Sequence, residues 1–296
     1  MQLGTETQAQ SAQRMYDSRA ADYEDSWHPA YAIRFTSRLS ISPGDAVLDL
    51  CCGTGLNFFA AAGRVGPGGS VVGVDLSEGM LGVARRKQAA AAAAADPELE
   101  SRCLLLKGDV TRLDEVFASA GLGDKRGGFD WLTCSNAFVL LDDPLAALAH
   151  WKTFLKEDGR MAIDLPHEHN LRGGTILEKV AKRLAVRLPF NRSWVESSES
   201  FVGLATAAGL ELESFELLEK VMGEASTYYG LDQADEVFDK IANGSLTTNL
   251  DVDEFKKTAR PLFREEWANA AVDGKVEVAD ALYMYIFRNN RGNLSE

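Results

Sequence analysis

The stretch Val47-Leu48-Asp49-Leu50-Cys51-Cys52-Gly53-Thr54-Gly55 holds the residues best placed to do chemistry. A short apolar run, readable as a strand, ends in a turn with two glycines, and a helical pattern follows over Leu56–Val65. Without a Cβ, Gly53 and Gly55 let the backbone turn sharply and let a ligand come close. The first N–H groups of the following helix have no partner within it and favour a negatively charged group. Asp49 sharpens the reading. It is a carboxylate inside an apolar strand, where an unpaired charge is costly. A role beside a ligand, accepting hydrogen bonds or facing a cation, offsets that cost.

Two further acids extend the pattern. Asp75 ends a second apolar run about 20 residues past the glycines, where a carboxylate can accept hydrogen bonds from ribose hydroxyls. Asp109, in Lys107-Gly108-Asp109-Val110, follows a third run. Each acid alone reads equally well as a loop cap or a surface charge. Together they mark three successive strand ends, the edge on which open α/β folds bind ligands. A nicotinamide dinucleotide fingerprint needs a third glycine three residues after the second. Phe58 stands there, which disfavours a pyrophosphate-bearing ligand and a nicotinamide-dependent oxidoreductase.

Such a site needs a parallel sheet behind it. Apolar runs at Ala46–Cys51, Ser70–Leu76, Arg102–Leu106, Phe129–Ser135 and Arg160–Leu165 read as strands covered on both faces. Helical patterns at Leu56–Val65, Gly79–Ala95, Thr111–Ala118 and Pro144–Leu155 alternate with them, and glycines mark the joints. The alanine run to Ala95 extends its helix until Asp96-Pro97 stops it. The expected fold is a Rossmann-like, doubly wound α/β sheet. Helices at Thr175–Leu188 and Ser197–Ala208 follow, then a sixth strand at Leu210–Val221 and a seventh at Ala279–Arg288. Residues 222–278 are too many for a hairpin loop and read as a helical lid, with helices near Asp232–Ala242 and Val252–Val272. Residues 1–41 read as an N-terminal helical cap over a core of residues 42–221 and 279–290, all within one domain.

The 296 residues carry a formal net charge of −13, with 46% hydrophobic and 25% charged residues. That charge repels phosphate backbones, and no basic patch offsets it, so nucleic acid is not an expected partner. No apolar stretch reaches the ~20 residues of a membrane span, and the N-terminus lacks a secretory signal. These features lead to the expectation of a cytoplasmic protein. The four cysteines, Cys51, Cys52, Cys103 and Cys134, lack zinc-ligand spacing and read as reduced thiols.

Residues 46–165 resemble the core of the class I S-adenosylmethionine-dependent methyltransferases, particularly the group related to ubiquinone and menaquinone biosynthesis. Val47–Gly55 matches motif I of that family. Gly73-Val74-Asp75-Leu76-Ser77-Glu78-Gly79-Met80-Leu81 resembles its ribose segment, and Gly108-Asp109-Val110 its adenine segment. Phe154-Leu155-Lys156-Glu157-Asp158-Gly159-Arg160 resembles the turn before the fifth strand, with Glu157 and Asp158 departing from proline and glycine. The resemblance implies S-adenosylmethionine as cofactor. It sets Cys51, Gly53 and Gly55 against the amino acid part, with Asp49, Thr54 and Asn57 nearby. Asp75 would hold the ribose, Leu76 and Met80 would flank the adenine, and Gly108, Asp109 and Val110 would meet its polar edge. Ser135, Asn136 and Tyr16 or Tyr23 would sit near the sulfonium and carboxylate.

The implied reaction is an in-line methyl transfer to a small molecule, with no metal. A base is needed only if the acceptor must lose a proton. His167 and His169, after the fifth strand, read as a base, a substrate contact or loop polarity. His28, in Trp27-His28-Pro29, reaches the site only if the N-terminal segment folds over it. Trp194, Tyr228, Tyr229 and Trp267 favour an apolar or aromatic acceptor over a polymer. Because fold does not dictate function, a non-methylating reaction such as a pericyclic rearrangement is the alternative.

Overall fold

Runs of valine, leucine and isoleucine too short for helices form the strands, and each strand sends alternate residues to opposite faces. The structure is a computed structural model that describes residues 7–290 except 95, 189, 224, 245, 246, 248 and 249. Two helices, α1 (Gln8–Arg19) and α2 (His28–Thr36), come first. Then β1 (Ala46–Leu50), α3 (Leu56–Val65), β2 (Ser70–Asp75), α4 (Glu78–Ala94), α5 (Leu99–Arg102) and β3 (Cys103–Lys107) follow. The alternation continues through α6 (Leu113–Ser119), β4 (Phe129–Cys134), α7 (Pro144–Lys152) and β5 (Leu155–Pro166). Next come α8 (Arg172–Arg183), α9 (Ser198–Ala207) and β6 (Glu211–Glu219). The chain ends with β7 (Thr227–Gly230), α10 (Ala234–Ala242), α11 (Asp253–Asn269), β8 (Lys275–Val278) and β9 (Ala281–Arg288). Ala95, the expected last residue of the alanine-rich helix, lies outside the described residues.

Seven strands form one sheet in the order β3-β2-β1-β4-β5-β9-β6. The first five are parallel, while β9 runs antiparallel to both β5 and β6. Strand order reverses between β1 and β4, so a crevice opens beyond their carboxyl ends. Val47 and Val71 join one core cluster, with Phe58, Tyr31 and Phe35. Their neighbours Leu48 and Val72 join the other, with Trp151, Phe154 and Phe201. Both faces of the sheet are therefore covered, as the unbroken apolar runs require.

The segment between β6 and β9 has a core of its own. Phe238 of α10, Phe263 and Trp267 of α11, and Val276 of β8 pack together with Ile176, Leu177 and Val180 of α8. This corrects the sequence expectation in two respects. The segment is not purely helical, because β7 and β8 pair antiparallel as a separate two-stranded sheet. The packing unit also reaches back before residue 222, since the apolar face of α8 points into it and not onto the sheet.

Candidate functional site

Where β1 ends, the backbone turns through left-handed conformations at Cys51 (φ 54°) and Gly53 (φ 56°). The Cys52 N–H reaches the Val74 carbonyl at 3.1 Å, which ties this turn to β2. Gly55, at φ 84°, opens α3, and a Cβ there would come within 2.7 Å of the Phe59 ring. Conformation and space both demand glycine. Phe58 is fully buried, and a Cβ on Gly73 of β2 would lie 2.9 Å from its ring. The room that a third glycine leaves in a dinucleotide fold is filled by this ring, with Gly73 yielding the space.

The three acids do different work. Asp75 accepts the N–H groups of Gly53 and Ser77, each at 2.8 Å, and so bridges the loops after β1 and β2. Burial nevertheless raises its pKa. Asp49 is 2% exposed. The Thr133 hydroxyl of β4 donates to its Oδ1 at 2.7 Å, but its Oδ2 has no partner. Burial, with the charge of Asp75 adding, pushes its pKa to about 7 despite the Thr133 bond. Asp109 accepts the N–H and hydroxyl of Thr111, at 2.9 and 2.7 Å, and caps the short turn Val110–Arg112.

Beyond these strand ends lies a cleft. Cys51, Gly53, Asp75, Gly108, Asp109, Ser135 and Asn136 form its polar floor, and Leu76, Met80 and Val110 line it with apolar surface. Tyr16 and Tyr23 border it too. A smaller recess shares Tyr23, Cys51 and Gly53 and adds His28, Thr54 and Asn57. Thr54 Oγ1 and Asn57 Oδ1 are buried without partners, like Asp49 Oδ2. Asp49 and Gly55 line neither space and support the loop from behind.

Residues not singled out in the sequence complete the cleft. Ala9, Ala12 and Gln13 of α1 roof it, and Leu140 and Leu141 close one side. At one end of α1, the Gln8 side chain donates to the Leu140 carbonyl at 2.7 Å. At the other, Asp17 accepts the Ser77 hydroxyl at 2.6 Å and the Gly79 N–H at 2.9 Å. Asp164 of β5, 1% exposed, accepts the hydroxyls of Tyr31 and Ser135 at 2.7 Å each and the Asn136 N–H at 2.6 Å. It thereby fixes the corner after β4, where Asn136 takes φ 56°. Burial raises its pKa to about 6. The signal was legible: Asp164 sits in an apolar strand just as Asp49 does.

The histidines need correction. His167 and His169 do not border the cleft or its recess. The His169 N–H donates to His167 Nδ1 at 3.0 Å, His169 Nδ1 lies 2.9 Å from Glu277 Oε2, and the His167 ring packs on Tyr283. They join the end of β5 to β8 and β9. His28 does reach the recess, between the rings of Trp27 and Tyr23. Burial, helped by the Arg19 charge, drops its pKa to about 4, which makes it a weak base. The four aromatics expected around an acceptor also lie elsewhere. Trp267 is core, Tyr229 packs on it, Trp194 packs on Phe138, and Tyr228 is exposed. Among the described residues no cluster of three His, Cys, Asp or Glu side chains could hold a metal ion, and no helix is long and apolar enough to cross a membrane.

The family model of the methyltransferase domain matches residues 25–214, well over half of the chain. The chain belongs to the methyltransferase family. It falls with the class I S-adenosylmethionine-dependent members that its motifs resemble. It is 34% identical to nocamycin O-methyltransferase of Saccharothrix syringae over 51% of this chain and 47% of that protein. It is 30% identical to demethylmenaquinone methyltransferase of Lactococcus lactis over 53% of this chain and 59% of the relative. The chain thus spans about half the length of the curated relatives it matches. Among solved structures, the [4+2]-cyclase SpnF shares the fold at 15% identity, with a TM-score of 0.56 over 97% of both chains.

The residues fit S-adenosylmethionine. Orphaned oxygens of Asp49, Thr54 and Asn57 await donors beside the glycine turn. Asp75 and Asp109 offer acceptors at the next two strand ends, and Leu76, Met80 and Val110 offer apolar surface between them.

Proposed function

We propose that this chain transfers a methyl group from S-adenosylmethionine to a small organic acceptor. The observation that carries the reading is the roofed cleft at the switch point, with polar groups at four strand ends and the unpartnered oxygens of Thr54 and Asn57 in the adjoining recess. Bound there, the cofactor supplies a methyl group made electrophilic by its sulfonium. The chain's own residues do the rest. Asp75, held by Gly53 and Ser77, accepts the ribose hydroxyls. Asp109 and the Val110 backbone meet the adenine edge, with Leu76 and Met80 against its faces. Thr54 and Asn57 take the amino acid end.

Catalysis is then largely positioning, since holding a nucleophile in line at near-contact distance supplies much of the acceleration. Asp164 holds Ser135 and Asn136 still, and α1 keeps water out. The apolar lining of Ala9, Ala12, Leu140 and Leu141 favours an acceptor with an apolar or aromatic body.

Calorimetric titration with S-adenosylhomocysteine and with NAD tests the cofactor, and only the first should bind. Mass spectrometry of candidate acceptors after incubation with S-adenosylmethionine tests the reaction. A gain of one methyl group supports transfer, whereas an isomer of unchanged mass supports a pericyclic reaction and overturns it.

A further inference from the structure

Asp164 borders neither the cleft nor the recess, but its partner Ser135 borders both. The acid lies on β5, 1% exposed, with the apolar Met284 opposite it on β9. All three of its partners are neutral donors. The hydroxyls of Tyr31 and Ser135 meet Oδ2 at 2.7 Å each, and the Asn136 N–H meets Oδ1 at 2.6 Å. Such bonds favour the carboxylate, yet burial outweighs them and leaves its pKa at about 6. A group whose pKa lies near the working pH makes the most effective base. Ser135 is half-buried, and its Oγ accepts the Asn136 side-chain N–H at 3.3 Å while donating to Asp164. A hydroxyl oxygen has two lone pairs, so one is left for a ligand.

The place of Ser135 gives this pair its meaning. Asp75 borders the cleft and not the recess, whereas Thr54 and Asn57 border the recess and not the cleft. On the methyl-transfer reading, the cofactor's ribose and its amino acid end occupy these two spaces. The sulfonium that joins them then lies by the residues common to both, which include Ser135, Asn136 and Tyr23. Other bases serve poorly there. Burial drops the His28 pKa to about 4 and raises those of Tyr16 and Tyr23, and Asp75 holds the Gly53 and Ser77 N–H groups. The titratable groups that face Asp164 do not compete with it. Burial keeps Tyr31 of α2 and Tyr23 protonated, and contact with Cys51 together with burial does the same for Cys134 of β4.

We propose that Ser135 and Asp164 form a proton relay, Ser135 taking the proton of the acceptor's hydroxyl and passing its own to Asp164, so that the substrates are phenols or enols. The proposal rests on the methyl-transfer reading. As the oxygen–methyl bond forms and the sulfur–methyl bond breaks, the O–H bond of the acceptor breaks too. Its hydrogen goes to Ser135 Oγ, and the Ser135 hydrogen goes to Asp164 Oδ2, which keeps a lone pair for the Tyr31 hydroxyl. Asp164 later yields the proton to water. The mismatch in acidity that this transfer must overcome is far smaller for a phenol or an enol than for an aliphatic alcohol. A thiol is a weak donor to Ser135, and a neutral amine attacks without first losing a proton. Ser135 is the catalytic residue, and Asp164 acts through it.

The experiment incubates the native chain with S-adenosylmethionine and either 2-naphthol or 2-naphthylmethanol across a pH series, scoring the methyl ether by mass spectrometry. The naphthol should react at least tenfold faster than the alcohol, at a rate that rises through about pH 6 and then levels. Asp164→Asn should lower that rate about a hundredfold at pH 7 and recover as the naphthol itself ionises, because a phenolate needs no relay. Tyr31→Phe removes a donor to the carboxylate and should move the inflection to higher pH, which a merely structural Asp164 would not do. Apart from turnover, calorimetry on the S-adenosylhomocysteine complex should show 2-naphthol binding at least tenfold tighter than 2-methoxynaphthalene. Ser135→Ala should abolish that preference and Ser135→Thr should restore part of it. Circular dichroism melting confirms that the variants fold, and if Asp164→Asn does not, the two Ser135 variants carry the test. Equal reaction of the two probes, or none, overturns the relay. If S-adenosylhomocysteine does not bind, the methyl-transfer reading itself fails. If it binds and the naphthol is methylated with one pH profile in the native chain and every variant, the relay alone fails.

Discussion

The sheet side of the cleft and the packing unit formed by α8, α10, α11 and β8 are built by opposite rules. On the sheet side, polar residues are spaced by the strand-and-turn rhythm, and each sits within a few residues of a strand end. The packing unit holds α8, α10, α11 and β8 around its own aromatic core. One half is specified locally and the other by tertiary packing. A local motif can therefore name a cofactor, while an acceptor is named only by a folded chain.

Breaking the core of that separate unit gives the largest expected effect. Trp267 is fully buried, and its indole N–H donates to the Gly230 carbonyl at 3.1 Å. Trp267→Ala should cost about 3–5 kcal/mol, seen as early protease cutting within 222–278, while S-adenosylhomocysteine affinity changes less than threefold. Equal loss on both sides would show that the halves are one cooperative unit. Asp75→Ala attacks the other half. It removes the acceptor shared by Gly53 and Ser77, and calorimetry should show S-adenosylhomocysteine affinity falling about a hundredfold, about 3 kcal/mol.

Asp49 sets binding against stability. Its folded pKa of about 7 lies above that of a free carboxyl, so the folded state holds the proton more tightly than the unfolded one. Stability is then full below about pH 4 and is lost as pH rises through about 7. Asp49→Asn should flatten this decline and raise the apo protein's stability at pH 8 by about 2 kcal/mol, while weakening S-adenosylhomocysteine binding. An unchanged pH profile would remove Asp49 as its source. The smallest effect is expected from His169→Ala. The pair with Glu277 is partly exposed, so it should cost under about 1 kcal/mol and leave turnover within twofold in a steady-state assay.

Much of the sheet was legible because a strand buried on both faces has no polar alternative, and the run Val71-Val72 admits little else. The glycine turn and Asp75 were legible for a related reason, as both sit where ordinary packing offers no explanation. Asp164 carried the same signal as Asp49 and was passed over because no glycine turn follows it. Its meaning depends on Tyr31, more than a hundred residues away. The His167–His169 pair misled because adjacency to a strand end does not fix a ring's direction, which Glu277 and Tyr283 set from elsewhere in the chain. The roof of α1 lay beyond local reading, since its two anchors, Leu140 and Ser77, belong to other loops.

The place of β9 between β5 and β6 bears on how the chain acquires its shape. As synthesis proceeds, β6 emerges with no strand beside it, and Leu212, Phe215 and Leu217 along it stay partly exposed even in the finished fold. Until the ribosome has delivered β9, β5 and β6 each present an open edge, the feature that invites misjoining between nascent chains. Glu211, Glu213, Glu216 and Glu219 along β6 put repelling charges on that edge throughout the wait.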